Sequence, residues 1–270
     1  MNNADQIKDA VILPIIEKEG FVKALVKIGI DEAKARVIAK DTARDINVFR
    51  RREKIELDKP KWANPNTLAE LLPAFLVGKW IDNKEGDKTV LAALSGMDYD
   101  QYELKLKALL LEEETPLIHI ENMWRIRSPF ESIDYSQTIL TTSVLNRFRE
   151  VCQELIQDDD PEAIDRANNG DFQFRKVEQK YSKTIKEGVY QSLCLLSIVD
   201  DSNDKKLAFW VDETVKDLLK DWNLSRFLSN KHYLTELAEA SPKEFLSFLE
   251  QLPKDILDVV FTPRQPEYSL

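Results

Sequence analysis

Arg44 is the side chain with the most chemistry to offer. It stands where one helical pattern ends and the next begins, within Thr42-Ala43-Arg44-Asp45-Ile46. A guanidinium fixed at a helix start on a small lid presents a planar, permanently charged fork that suits a terminal phosphate. Arg50-Arg51-Arg52 with Lys54 forms a basic knot a few residues on. A solvated helix end, where positive charge also complements the helix dipole, is the ordinary account of that knot. Arg125 and Arg127 are the basic side chains of a second alternating segment, Met123 to Ile126 with its flank, and are candidate contacts for a partner.

The other reactive residue types lack the spacing that chemistry needs. His119 and His232 are far apart, and no HxxxH, HExxH or CxxC occurs, so no metal site is assigned. Cys152 and Cys194 have no further cysteines to pair with and read as small buried apolar residues. Asp212-Glu213 with Lys216 places carboxylates and an amine on one helix turn, where an Asp to Lys ion pair is the ordinary outcome. Asp158-Asp159-Asp160-Pro161 and Asp200-Asp201-Ser202-Asn203-Asp204 are turn chemistry whose carboxylates serve as caps. Neither a GxxxxGK[ST] loop nor a Ser/His/Asp order is found, so the chain by itself is no P-loop NTPase and no catalytic residue or cofactor is assigned to it.

The elements that must position these groups are helical. Among 270 residues, Gly and Pro number only 7 and 11, about 7% together against a usual ~12%, which disfavours a loop-rich β-sandwich. Hydrophobic residues make 43% and the net charge is −10. No run approaches the ~20 apolar residues of a membrane span, and the first ten residues do not read as a secretory signal, so a cytoplasmic protein is expected.

Two Pro-bearing boundaries divide the sequence into segments 1–57, 58–128 and 129–270, carrying +2, −3 and −9. The first reads as three short helices. Lys18 to Ile28 has Phe21, Leu25 and Ile28 on one face and stops at Gly29. Asp31 caps Glu32 to Lys40, with Ala35, Ile38 and Ala39 inward, and Ile46 to Glu53 follows. In the second segment Thr67 caps an apolar helix that Pro73 bends or breaks. Gly86-Asp87 opens a helix ended by Gly96, and Asp98 caps a longer one. Leu117 to Ile120 and Met123 to Ile126 alternate as the only strand pair, joined at Glu121-Asn122. Three helices and then a hairpin is the order of a winged helix. The third segment predicts an α-helical, solenoid-like array of paired helices, including Val144 to Ile156, Tyr181 to Val199, Lys205 to Trp222, His232 to Ala240 and Lys243 to Leu252.

A winged helix invites a DNA-binding reading, with a helical dimerisation domain behind it. The charges oppose it. The helix that would enter the major groove holds Asp98, Asp100, Glu103, Glu112, Glu113 and Glu114 against Lys105 and Lys107. That is the wrong sign for a polyanion.

Four stretches carry a resemblance: Gly20 to Leu25, Thr42 to Arg51, Pro116 to Ile120 and Asn122 to Pro129. Together they resemble the region just after the P-loop core of large bacterial STAND-type, AAA-related signalling NTPases, in which a helical lid, a winged helix and a long helical array follow the core. The resemblance spans about residues 13–161. It implies that Arg44 occupies the place of the lid arginine that contacts nucleotide phosphates. The family pattern has a glycine shortly before that arginine, where this chain has Thr42-Ala43. ATP or ADP is implied for a parent protein, with a P-loop core, in cis or as a separate chain, and a protein ligand on the array as partners. Several such NTPases act in antiviral defence.

Overall fold

The computed structural model describes residues 17–53, 59–112, 114–161, 179–199, 206–254 and 256–257. The chain divides into two units, residues 1–58 and 59–270. Lys54, the 200–204 acidic turn and the last thirteen residues fall outside the described residues.

In the first unit, α1 (Lys18–Lys27), α2 (Glu32–Asp41) and α3 (Ile46–Arg52) enclose a small core of Phe21, Val22, Leu25, Ala35, Ile38, Ala39 and Phe49. Asp31 caps α2 by accepting hydrogen bonds from the Ala33 and Lys34 amides at 2.9 and 3.2 Å. Gly29 ends the turn after α1 at φ 94°. Ile28, expected inward, is exposed. It lies one residue past the last helical position, where the helical period no longer sets its direction.

The second unit opens with α4 (Pro65–Val77), β1 (Lys79–Ile81), α5 (Glu85–Ser95), α6 (Tyr99–Leu110), β2 (Leu117–Ile120) and β3 (Met123–Ile126). The strands form an antiparallel sheet in the order β1-β3-β2, a winged-helix-like arrangement. Sequence patterning exposes the hairpin but not β1. Three residues are too few to display an alternation, and β1 takes shape because Gly78, at φ 74°, turns the chain sharply out of α4.

The start of α4 is also corrected. Asn64, not Thr67, is the cap: its side-chain oxygen accepts from the Thr67 amide at 3.0 Å, and Pro65 fills the first helical position. Pro73 does not break the helix. Proline disturbs the local i to i−4 ladder, and a side chain inserted into the gap can repair it. Here the buried Tyr102 of α6 does so: its hydroxyl accepts from the Ala74 amide at 3.1 Å and donates to the Glu70 carbonyl at 3.0 Å. One phenol thus bridges the two groups that an unbroken helix would pair directly.

Among the described residues these helices follow: α7 (Pro129–Ser136), α8 (Thr142–Gln157), α9 (Lys183–Ile198), α10 (Lys206–Leu218), α11 (Leu224–Asn230), α12 (Leu234–Ala240) and α13 (Pro242–Glu250). A single hydrophobic core runs from Trp62 to Ile256 and crosses residues 128–129 without interruption. Its centre is α9, which packs on α4, β1, α7, α8, α10 and α12. Backbone meets backbone there, because a Cβ on Gly188 would stand 2.2 Å from the Val77 carbonyl oxygen.

Candidate functional site

Arg44 occupies a strained step. After α2 ends at Thr42, Ala43 and Arg44 both take positive φ, 48° and 66°. The left-handed conformation costs a non-glycine residue about 1–2 kcal/mol. Two neighbouring bonds hold the step: the Thr42 hydroxyl donates to the Ile38 carbonyl at 2.8 Å, and the Asp45 amide donates to the Thr42 carbonyl at 2.8 Å. Asp45 then caps α3, accepting from the Asn47 and Val48 amides. Arg44 is half-buried and makes no hydrogen bond or ion pair among the described residues. The neighbouring knot is partly engaged, since Arg52 pairs with Asp41 at 2.7 Å, while Arg50 is exposed.

The sheet places the other two arginines away from the hairpin tip. Arg125 lies mid-strand on β3, between Lys79 and Ile118 of the flanking strands, with its Nε buried and without a hydrogen bond. Lys79 beside it is neutralised by Glu187 of α9 at 2.6 Å. Arg127 donates from Nε to the Thr115 carbonyl at 3.2 Å and so ties the strand end to the loop before β2. The opposite sheet face carries Trp80, Trp124 and His119, one from each strand. Trp80 and Trp124 stack with centroids 5.7 Å apart, and His119 stacks on Trp124 at 4.2 Å. His119 Nε2 sits 2.8 Å from Asp82 Oδ2, so a histidine with no sequence partner is a cross-sheet strut.

Helix α6 presents an unusual surface for its place in the fold. Leu104 and Leu111 are 68% and 76% exposed, with Gln101 and Ala108 exposed between and before them. Lys107 is paired with Glu103 at 2.8 Å and Lys105 with Glu70 at 3.5 Å.

The carboxylates of the acidic turn after α8 also form ion pairs across the fold. Asp158 pairs with the almost fully buried Lys186 at 3.0 Å, and the same amine donates to the Asp158 carbonyl at 2.7 Å. Burial pushes the Lys186 amine below its ordinary pKa, and Asp158 works against that. Asp159 lies 3.5 Å from Arg226, and Lys183 reaches Asp160 at 4.0 Å. Asp212 accepts from the Ser241 hydroxyl at the start of α13, and Lys216 pairs with Glu213 at 3.8 Å rather than with Asp212. Both cysteines are free thiols, Cys152 buried and Cys194 partly so. Burial pushes Cys194 up to about 12.

A cleft of about 630 Å³ opens between the end of α10 and α13. Its floor is Trp222, Phe248 and Leu252, and Lys216, Lys220 and Glu244 stand on its rim. Among the described residues no cluster of His, Cys, Asp or Glu is arranged to hold a metal ion, and no helix is long and apolar enough to cross a membrane. Comparison with protein-family models, with curated proteins and with solved structures returns no match.

Proposed function

We propose that this chain is a non-catalytic regulatory module of a cytoplasmic STAND-type NTPase, coupling the nucleotide state of a P-loop core to a partner met by its helices, in the setting of bacterial antiviral defence. The observation that carries this reading is the left-handed step at Ala43 and Arg44, whose guanidinium forms no ion pair or hydrogen bond among the described residues. Backbone strain of this kind concentrates at functional positions. The residue before the arginine adopts the conformation glycine favours, at the place where the resembling family has a glycine close by. A winged helix between lid and array is the companion expectation, and the strand order β1-β3-β2 supports it.

Calorimetry with ATP and ADP tests the proposal, on this chain alone and on the chain combined with a P-loop core. The expected result is binding to the combination only, weakened about tenfold or more by Arg44→Ala, the scale of a lost charge-assisted hydrogen bond. Unchanged affinity in that variant would remove the lid role. The rival reading, a DNA-binding regulator, is supported by the winged-helix-like order and opposed by the acid on α6. A gel-shift series in salt separates the two, and the expected outcome is no shift at physiological ionic strength.

A further inference from the structure

We propose that the exposed face of α6 is a docking surface for an amphipathic helix whose apolar stripe is flanked by lysine or arginine. The proposal rests on the reading that this unit meets protein rather than DNA. Gln101, Leu104, Ala108 and Leu111 recur at intervals of three, four and three residues and are all exposed. That spacing is the seam by which one helix receives another. Leu106, Tyr102 and Tyr99 on the other side of α6 are already committed to the core, so the seam is a second apolar face with nothing of the described chain upon it. Isolated exposed leucines are ordinary on a protein surface; here Leu104 and Leu111, the latter at the C-cap, lie two turns apart on one face with Ala108 between them, the spacing of a helix–helix seam.

Charge decides what covers it. The two lysines flanking the seam, Lys105 and Lys107, are each held by carboxylates of this chain. Asp100 and Glu112, on the remaining flanks, form no ion pair among the described residues. Glu112 also stands just beyond the C-terminus of α6, where the helix dipole is itself negative and a cation would be expected. A basic partner helix relieves the mismatch at Glu112 and gives Asp100, which faces Lys88 and lies in the favourable first turn of α6, a further cation. A second copy of the chain would bring Asp98 and Asp100 of one helix toward Glu112 and Glu114 of the other, acid against acid.

The test uses the full chain and two synthetic helical peptides of about three heptads, each with a leucine stripe, one flanked by lysines and one by glutamates. Binding is read by fluorescence anisotropy. The lysine peptide binds at least about tenfold more tightly than the glutamate peptide, and Leu104→Gln with Leu111→Gln weakens it about tenfold or more. Phe209→Gln with Leu246→Gln, which removes two exposed apolar side chains on α10 and α13, leaves it unchanged. Thermal melting shows that both double variants are folded, since none of the four side chains is buried. Equal losses in the two double variants, or equal binding of the two peptides, would overturn the proposal. So would a concentration-dependent dimer that disappears with Leu104→Gln and Leu111→Gln, which gives the face to a second copy. Arg44 takes no part in these readouts, so the nucleotide experiment can fail while peptide binding holds, and the reverse.

Discussion

Asp87 shows how much one side chain can organise and how little of that a sequence reveals. It is fully buried. Its carboxylate accepts hydrogen bonds from the Ile81 amide at 2.9 Å, the Ser182 amide at 2.9 Å and the Ser182 hydroxyl at 2.6 Å, joining β1 to the cap of α9. Burial raises its pKa above the ordinary 3.8 and outweighs those hydrogen bonds, which lower it. A carboxyl whose folded pKa is raised contributes stability that is fully present below the unfolded value and is lost as pH rises through the folded one. Asp87→Asn presents an amide to at least one backbone donor and is expected to lose about 1–3 kcal/mol. Because the variant cannot ionise there, its deficit is largest near pH 4 and shrinks toward neutrality. Urea midpoints at pH 4, 5.5 and 7 check this, and a deficit that grows with pH would show that the ionised form is the favoured one. The position of Arg44 between two helices was legible, since caps and breaks are local. The partners of Asp87, Lys186 and Tyr102 were not, because Ser182, Asp158 and the Glu70 carbonyl reach them through the folded core rather than through nearby sequence.

At the scale of elements most helices could be read because amphipathic spacing survives in them, and the start of α2 because Asp31 caps it. The expected Thr67 cap gives way to Asn64, and Thr141, Ser182 and Asn223, which also act as side-chain caps, carry no local signal that sets them apart from the other polar residues around them. What could not be read is where elements touch so closely that a side chain is forbidden. Gly188 sits within α9, where alanine would ordinarily be favoured by about 1 kcal/mol. A Cβ there would meet the Val77 carbonyl oxygen at 2.2 Å and the Lys79 amide nitrogen at 2.9 Å. Both are backbone atoms at the junction of α4 and β1, so neither moves without disturbing the sheet. Gly188→Ala is therefore expected to destabilise by about 1–3 kcal/mol, the range of an overpacked core, despite its better helix propensity. Chemical denaturation monitored at the tryptophans measures it. A stability gain would mean that α9 can retreat from the sheet. Gly86 of α5 makes a similar approach to the Lys180 carbonyl, at 2.1 Å from its would-be Cβ, so the residues leading into α9 are held against α5 as closely as α9 itself is held against the junction of α4 and β1.

These clamps set the cooperativity of the whole second unit. Composition and charge suggested a division near residue 128, since the net charge changes from −3 to −9 across it. Cooperativity follows buried contact, not net charge, and the core crosses that position through Ile126, Ile133, Phe75 and Val189. The Ser192 hydroxyl of α9 even donates to the Phe75 carbonyl of α4 at 3.3 Å. Residues 59–270 are thus expected to unfold in one transition, with near-ultraviolet circular dichroism and helical signal lost together. Residues 59–128 alone would lack α7 and α9, leaving the α4 and β1 backbone around Gly78 open to water. That piece has too small a core to replace the missing contacts, so it should show no cooperative melt and no near-ultraviolet signature of the stacked Trp80 and Trp124. If it melts cooperatively with that signature intact, the winged-helix-like segment is an independent body. A regulatory signal could then pass through relative motion at residue 128. If it does not, any switch in this unit must act on the unit as a whole, and a partner seated on α6 would bias α9 and the helices behind it through the same continuous core.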